Sequence, residues 1–260
     1  MTDNPEGKQY ITTERLGNTL VITINRPEAK NAFNNLQSHQ MNNAIDLLEN
    51  DDSLFVGIIT GAGGTFSAGA DLKEAASGVK RERPARGGFG VFAKPPRKPL
   101  IAAVEGFAVG GGFELCLTCD IIIAAESAKF GLPEVKHNVV AIGGGLFRLP
   151  KRMAYHQVME LALTGEFKDA AYFQQQGIVN QIVPTGTALD AAVQFANKIQ
   201  SNGPTALAAS KEIVRHSFEW TDDEAWAKQM PIANVALQSE DRKEGLKAFA
   251  EKRKPTWKGR

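Results

Sequence analysis

The sequence predicts an α/β core followed by a mainly helical C-terminal part. Short apolar runs, such as residues 55–60 (FVGIIT) and 120–125 (DIIIAA), are typical of buried strands. From residue 154 onward, amphipathic stretches with helical spacing take their place. A strand–strand–helix rhythm that gives way to helices indicates an α/β fold. We expect the core to occupy residues 1–185 and the helical region residues 186–260.

The first half of the chain carries most of the predicted strands. The run 18–25 alternates apolar residues at Leu20, Ile22 and Ile24, and Pro27 ends it because proline cannot donate to a strand ladder. The apolar stripe of residues 34–49 predicts a helix. Further strands are predicted at 10–15, 55–60, 99–104 and 120–125, a turn at 106–112, and a helix from 113 to 118.

Helices dominate the second half. The segment 178–183 is the one strand that we predict after residue 154. Residues 75–97 are rich in Gly, Pro and Arg without a clear period, which predicts a surface loop or lid. The charges at 80–83 are interpreted as a solvated face rather than a phosphate contact. Helices are predicted near 155–163, 168–176, 187–200, 204–217, 221–237 and 239–251.

Composition limits the classes of partner. The net charge of +1, from 30 basic and 29 acidic side chains, favours neither nucleic acid nor an anionic membrane. No apolar window reaches the ~18 residues of a membrane span, and the start MTDNPEGK has no apolar core of a signal peptide. We therefore expect a cytoplasmic location. Cys116 and Cys119 form a CxxC, but the four His residues are scattered, so buried thiols are favoured over a metal site.

Two glycine-rich turns are candidates for binding a developing negative charge. In 110–114 (GGGFE), three glycines precede a predicted helix, where unshielded amides meet the positive end of the helix dipole. The turn 68–71 (AGAD) also follows a strand, and the two turns would converge on one carbonyl oxygen. Close helix–strand packing is the alternative reason for the glycines. Asp71 is interpreted as a helix N-cap rather than a catalytic acid.

Two glutamates have apolar neighbours in sequence. Glu114 lies among Phe113, Leu115 and Leu117, and Glu134 follows FGLP. Burial among apolar groups raises a carboxyl pKa toward the range useful for proton transfer. The alternatives are a helix-dipole role for Glu114 and an exposed loop position for Glu134. The chain has no GxGxxG, GxxxxGK[ST] or GxSxG motif, which argues against dinucleotide, phosphate-loop and serine-hydrolase chemistry.

Together these features resemble the crotonase (enoyl-CoA hydratase/isomerase) superfamily over nearly the whole chain. The matching segments, in order, are NRP at 25–27 with KNA at 30–32, FSAGADLK at 66–73, AVxG at 103–106 through GFE at 112–114, CDI at 119–121, FGLPE at 130–134, RLP at 148–150 and FAEKR at 249–253. Each segment is weak evidence alone, but seven in one order are specific. The resemblance implies a spiral of ββα units with C-terminal helices that build trimers, usually paired into hexamers.

The resemblance also implies the roles of individual residues. Glu114 and Glu134 correspond to the two catalytic carboxylates of hydratases, and the amides of Ala68 and Gly111 to the oxyanion hole. Coenzyme A is then part of the substrate, and neither a further cofactor nor a metal is expected. The positions implied to contact the coenzyme A thioester are Arg26, Ala29, Lys30, Ala68, Gly69, Ala70, Asp71, Leu72, Gly110 and Ile142.

Within the superfamily, the C-terminal segment 239–260 and GFEL at 112–115 look most like carnitinyl-CoA dehydratases. One stretch departs from the hydratase pattern: Ala141 and Ile142 stand where Pro-Gly is common. The Ile142 side chain either narrows the acyl pocket or points away from it. We expect an enoyl-CoA hydratase; the alternatives are a carnitinyl-CoA dehydratase and a non-catalytic acyl-CoA-binding protein.

Overall fold

The computed structural model describes residues 7–78 and 82–260, so residues 1–6 and 79–81 lie outside it, and with them residues 80 and 81 of the predicted charge cluster. The strands are β1 (Ile11–Leu16), β2 (Thr19–Ile24), β3 (Val56–Gly61), β4 (Leu100–Val104), β5 (Phe107–Val109), β6 (Ile121–Ala125), β7 (Lys129–Gly131), β8 (Lys168–Asp169) and β9 (Gln181–Val183). The helices are α1 (Asn35–Asn50), α2 (Leu72–Ala76), α3 (Gly111–Thr118), α4 (Gly145–Arg148), α5 (Tyr155–Thr164), α6 (Ala170–Gln175), α7 (Ala188–Gln200), α8 (Pro204–His216), α9 (Asp222–Leu237) and α10 (Glu240–Ala250).

The larger sheet has the order β1-β2-β3-β4-β6-β9. β1 and β2 form an antiparallel hairpin, and the remaining neighbours are parallel. Side chains of β3 and β4 are buried on both faces, which explains their continuous apolar sequence. The α/β prediction and the strands predicted before residue 105 are confirmed.

A second sheet, of order β5-β7-β8, positions the functional groups. β5 pairs in parallel with β7, with Val109 opposite Gly131, so both strands end at the same edge of the sheet. The prediction of a turn over residues 106–112 is therefore wrong for β5, and β7 and β8 were not predicted. These strands have three, three and two residues, too few to show an alternating pattern.

The helices after residue 154 agree with the predicted stretches. α7 packs on the larger sheet through Ala188, Ala192 and Ala196, which are fully buried. At the other end of the chain, α1 begins with a capping box formed by Asn34 and Gln37. In the described ranges, no helix is both long and apolar enough to cross a membrane.

The segment predicted as a surface loop is partly built into the core. Phe89 is 7 % exposed and Val91 is fully buried. A side chain at Gly90 would overlap the main chain of α1, so this loop lies directly on that helix. The Arg86 guanidinium fixes it further by pairing with Asp46 at 2.6 Å. The interpretation as a surface loop is thus wrong for residues 86–91.

Candidate active site

A cavity of about 600 Å³ lies where β5 and β7 end. Its walls come from the β5–α3 turn, the segment after β7, the turn before α2, and the loop over α1. Eight of the residues implied by the resemblance line it: Ala68, Ala70, Leu72, Gly110, Gly111, Glu114, Glu134 and Ile142. The structure thus brings both predicted carboxylates to one space.

Glu114 lies in the first turn of α3 and is 3 % exposed. Its Oε1 accepts a hydrogen bond of 2.9 Å from the amide of Gly145. Burial raises its pKa, whereas the amides of Gly145, Gly143 and Gly144 and the charge of Arg148 oppose that rise by favouring the carboxylate. The side chain therefore does more than complement the helix dipole, because it is held against a second glycine turn.

Glu134 is in a very different environment. It follows β7 on a short 3-10 turn, Pro133–His137. Among the described residues, its buried Oε2 has no hydrogen-bond partner. Burial raises its pKa to about 7, and the nearby Glu114 carboxylate adds to the rise. Glu134 therefore tends to hold a proton at neutral pH.

The two environments separate the chemical roles of the pair. Amide donors favour the charged form of Glu114, and an unpaired buried oxygen favours the neutral form of Glu134. Burial raises both pKa values, but several amides and the charge of Arg148 oppose the rise at Glu114, whereas the Glu114 carboxylate adds to the rise at Glu134. Two titratable groups whose surroundings separate their pKa values in this way are the usual basis for one base and one acid in a single site.

The two glycine-rich turns meet beside this pair. Gly69 has a left-handed φ of +90°, and a Cβ there would lie 2.8 Å from the carbonyl oxygen of Val109 and 3.0 Å from the amide nitrogen of Gly111. No side chain fits between such close main chains. The predicted convergence of the two turns is thus present, and close packing is part of the reason for it.

On the turn at residues 68–71, the prediction of Ala68 as the donor is wrong, and the available amide lies two residues later, at Ala70. The Ala68 amide donates to the carbonyl oxygen of Lys30 at 2.9 Å and is not available to a ligand. Phe33 pairs with the segment around Ala70: its amide donates to Gly69 and its carbonyl accepts from the Asp71 amide. Since successive amides of an extended chain point in opposite directions, the Ala70 amide faces away from Phe33, on the side of the cavity.

Gly111 supplies the second amide. As the first residue of α3, its N–H has no carbonyl four residues earlier in the helix to bind. A Cβ at this position would lie 2.5 Å from Cζ of Phe89, so the ring of Phe89 packs directly on the glycine. The amides of Ala70 and Gly111 are therefore the pair that the turns present.

Several predicted coenzyme A contacts lie outside the cavity wall. The Arg26 guanidinium pairs with Asp71 at 2.6 Å and donates to the carbonyl of Ala32 at 3.1 Å. Asp71 in turn accepts from the amides of Lys73 and Glu74 and caps α2, as predicted. This ion pair stabilises the turn before α2 and does not face the cavity. The implied residues that do not line it are Arg26, Ala29, Lys30, Gly69 and Asp71.

An aromatic stack on the cavity wall was not predicted. The ring of Phe89 stacks on Phe33 at 4.1 Å between centroids and on Phe92 at 4.8 Å. Phe89 has a φ of 52°, in the left-handed region that non-glycine residues seldom adopt. The GGFG sequence at 87–90 was a signal of an unusual main chain, but the partners of the rings depend on the tertiary fold.

Ile142 lies at the rim of the cavity and is 77 % exposed. An acyl chain long enough to reach the rim would meet this side chain more than a four-carbon chain would. Because the substitution removes that obstacle, we expect Ile142→Gly to raise kcat/KM for longer enoyl-CoA esters relative to crotonyl-CoA by a few-fold, about the effect of burying one more methylene of the acyl chain, ~0.8 kcal/mol. Leu146→Ala, nearby but off the cavity wall, is the control. An unchanged ratio in a folded Ile142→Gly protein would show that this side chain does not shape acyl selection.

Comparison with known proteins gives the same assignment. The family model described as enoyl-CoA hydratase/isomerase matches residues 14–260. Enoyl-CoA hydratase EchA19 of Mycobacterium tuberculosis is 39 % identical over 95 % of this chain and 96 % of its own length. Carnitinyl-CoA dehydratase of Proteus mirabilis is 40 % identical over 96 % and 98 %. A crystal structure of enoyl-CoA hydratase from M. tuberculosis covers 97 % of this chain and 100 % of that one, with 48 % identity and a TM-score of 0.93. The chain therefore belongs to the enoyl-CoA hydratase/isomerase family.

Proposed function

We propose that the protein is an enoyl-CoA hydratase, a hydro-lyase that adds water reversibly across the 2,3 double bond of an enoyl-CoA thioester. The observation that carries the proposal is the pairing of two differently held carboxyl groups, Glu114 and Glu134, in one cavity. Beside them, the amides of Ala70 and Gly111 are placed to bind one oxygen. General acid, general base and oxyanion donors are the groups that hydration of a conjugated thioester requires.

In the hydration direction, the thioester oxygen accepts hydrogen bonds from the amides of Ala70 and Gly111. The Glu114 carboxylate takes a proton from water as the water oxygen bonds to the β-carbon. The electron pair of the double bond moves toward the thioester and forms an enolate, whose negative charge the two amides stabilise. The carboxyl group of Glu134 then gives its proton to the α-carbon. Dehydration follows the same steps in reverse, with the roles of acid and base exchanged.

Coenzyme A enters as part of the substrate, and the mechanism uses neither a metal nor a further cofactor. Phe92, at the end of the aromatic stack, suits an alkyl acyl group, but an aromatic face also attracts quaternary ammonium groups. This wall, with the similarity to carnitinyl-CoA dehydratases, makes crotonobetainyl-CoA the second candidate substrate. A merely acyl-CoA-binding role is disfavoured because Ile142 leaves the cavity open.

The deciding experiment is a panel of enoyl-CoA esters assayed by loss of the conjugated-thioester absorbance. We expect turnover of crotonyl-CoA or crotonobetainyl-CoA, with kcat in the usual enzymatic range of ~1–10³ s⁻¹. The ratio of the two kcat/KM values separates the two candidate substrates. Binding of CoA esters without turnover of any ester in the panel would contradict the proposed activity and support the non-catalytic binding role.

We also propose a cytoplasmic trimer, or a hexamer made of two trimers. Large apolar side chains are exposed in the C-terminal helical region: Phe218, in the turn between α8 and α9, at 65 %, Trp226 of α9 at 74 % and Phe249 of α10 at 86 %. Exposed apolar area of this kind favours association. Light scattering is expected to give about three or six times the chain mass of 28.1 kDa. A monomer at micromolar concentration would contradict the proposal.

A further inference from the structure

The side chain of Arg148, the last residue of α4, lies behind the glycine turn that holds Glu114. Its Nη1 donates to the carbonyl of Gly143 at 2.8 Å, and its Nη2 donates to the carbonyl of Phe92 at 2.7 Å. Both acceptors belong to the main chain of the cavity wall. One guanidinium thus joins the loop that carries Phe89 and Phe92 to the turn at residues 143–145.

The bond to Gly143 also sets the direction of the next amide. In a planar trans peptide, the carbonyl of one residue and the N–H of the next point in opposite directions. Arg148 holds the Gly143 oxygen on its own side, so the N–H of Gly144 points to the other side, toward Glu114. The amide of Gly144 is one of those that favour the charged form of Glu114. The amide of Gly145 also donates to Oε1 of Glu114, at 2.9 Å.

The turn is shaped around the guanidinium. Gly144 has a φ of +110°, and a Cβ there would overlap Nη1 of Arg148. A side chain at Gly143 would overlap both the Glu114 carboxylate and the ring of Phe92. The main chain of the turn therefore lies directly between the guanidinium of Arg148 and the carboxylate of Glu114.

We propose that Arg148 is a positioning residue for hydration: it fixes the turn at residues 143–145 so that the turn's amides hold Glu114 ionised and aimed at the attacking water. The inference rests on the proposed function. Arg148 does not touch the reacting atoms in this mechanism, since the turn lies between. It acts on the rate through the orientation and charge of Glu114.

The charges around the pair give the sign of the effect. Burial lowers the pKa of Arg148 to about 10, with Arg152 and Arg215 adding to the decrease, so Arg148 is still charged at pH 7. Its charge lowers the pKa of Glu114. The other charged or titratable groups on the cavity wall are Glu134, Glu82, Arg83 and His137. Because the mechanism needs Glu114 ionised, activity is lost as pH falls through the pKa of Glu114.

The test is the pH profile of crotonyl-CoA hydration in Arg148→Met and Arg148→Lys. In Arg148→Met we expect kcat to fall by about 10²-fold, the typical cost of a misplaced reacting group, with little change in KM. The acid limb of the profile, where activity falls as pH decreases, should move to higher pH. The reason is that the pKa of Glu114 rises when it loses a positive neighbour and aligned amides. Arg148→Lys keeps the charge and should restore the position of the limb, with only part of the rate.

Arg152→Met is the matched control, since Arg152 likewise donates to a main-chain carbonyl, that of Leu117, at 2.9 Å. We expect its acid limb to stay in place. In a Glu114→Gln background, Arg148→Met should add almost nothing to the loss of kcat, because the two residues act through one group. If Arg148→Met does not fold, the test uses Arg148→Lys. A kcat below that of the wild type supports the positioning role, and a wild-type kcat contradicts it.

The outcomes separate this inference from the function on which it rests. An unmoved acid limb and full kcat in the Arg148 variants, with an inactive Glu114→Gln protein, would overturn the positioning role alone. An additive loss in the double variant would also overturn it. Near wild-type hydration by Glu114→Gln would instead contradict the proposed mechanism itself.

Discussion

Glu134→Gln is expected to lower kcat for enoyl-CoA hydration by at least ~10²-fold, the usual contribution of a general acid or base. The amide keeps the shape of the side chain but cannot give a proton to the α-carbon. Glu114→Gln should cause a loss of the same order, because the amide cannot take the proton of the attacking water. Binding of a CoA ester should change little in either variant.

Stopped-flow or steady-state absorbance with crotonyl-CoA measures the rates, and titration with a saturated acyl-CoA measures binding. Glu160→Gln is the control, since Glu160 pairs with Lys168 on the surface at 2.8 Å and does not line the cavity. Turnover close to that of the wild type in either cavity variant would refute the assignment of that carboxyl group.

Replacing the Ala70 amide with an ester, by incorporating lactic acid at that position, is expected to lower kcat by ~10²–10³-fold. Removal of one oxyanion-hole donor costs about this much in other enzymes. The ester keeps the methyl side chain and removes the N–H; it also weakens the Gly69 carbonyl as an acceptor for the amide of Phe33. The rate of crotonyl-CoA hydration measures the loss in kcat.

The same replacement at Ala68 is the matched control. It removes the bond to Lys30 and should lower the free energy of unfolding by about 0.5–1.5 kcal/mol while kcat stays near that of the wild type. The reverse result, with loss of rate at Ala68 and none at Ala70, would restore the donor that the resemblance implied.

The error at Ala68 shows what local sequence does not contain. The AGAD turn follows from the motif, but which amide is available depends on the pairing of Phe33 with Ala70, 37 positions apart. Strands of five or six apolar residues, such as β3 and β4, were predicted because their burial is visible in composition. β5 and β7 were not, since three-residue strands exist through their pairing alone.

The aromatic wall was beyond prediction for a related reason. Phe89 lies in a glycine-rich loop whose path is fixed by contact with α1 and by a left-handed φ. No periodic pattern of apolar residues in the sequence predicts such a path. Glu114 and Glu134, in contrast, were identified correctly as residues of one cavity, because an acidic residue inside an apolar segment is conspicuous in the sequence itself.

The unpaired carboxyl oxygen of Glu134 has a consequence for the folding stability of the enzyme. Its folded-state pKa of about 7 exceeds the ordinary value of 4.5. The stabilising contribution of the proton is therefore complete below pH 4.5 and is lost as pH rises through 7. Solvent reaches part of this side chain and screens its charge, so the decrease is smaller than the full 1.36 kcal/mol per pKa unit and is on the order of 1–2 kcal/mol, a noticeable part of the stability of a typical domain. The buried carboxyl group of Glu134 thus weakens the fold as the pH rises past neutral, and alkaline solutions should lower the melting temperature of the wild type more than that of Glu134→Gln.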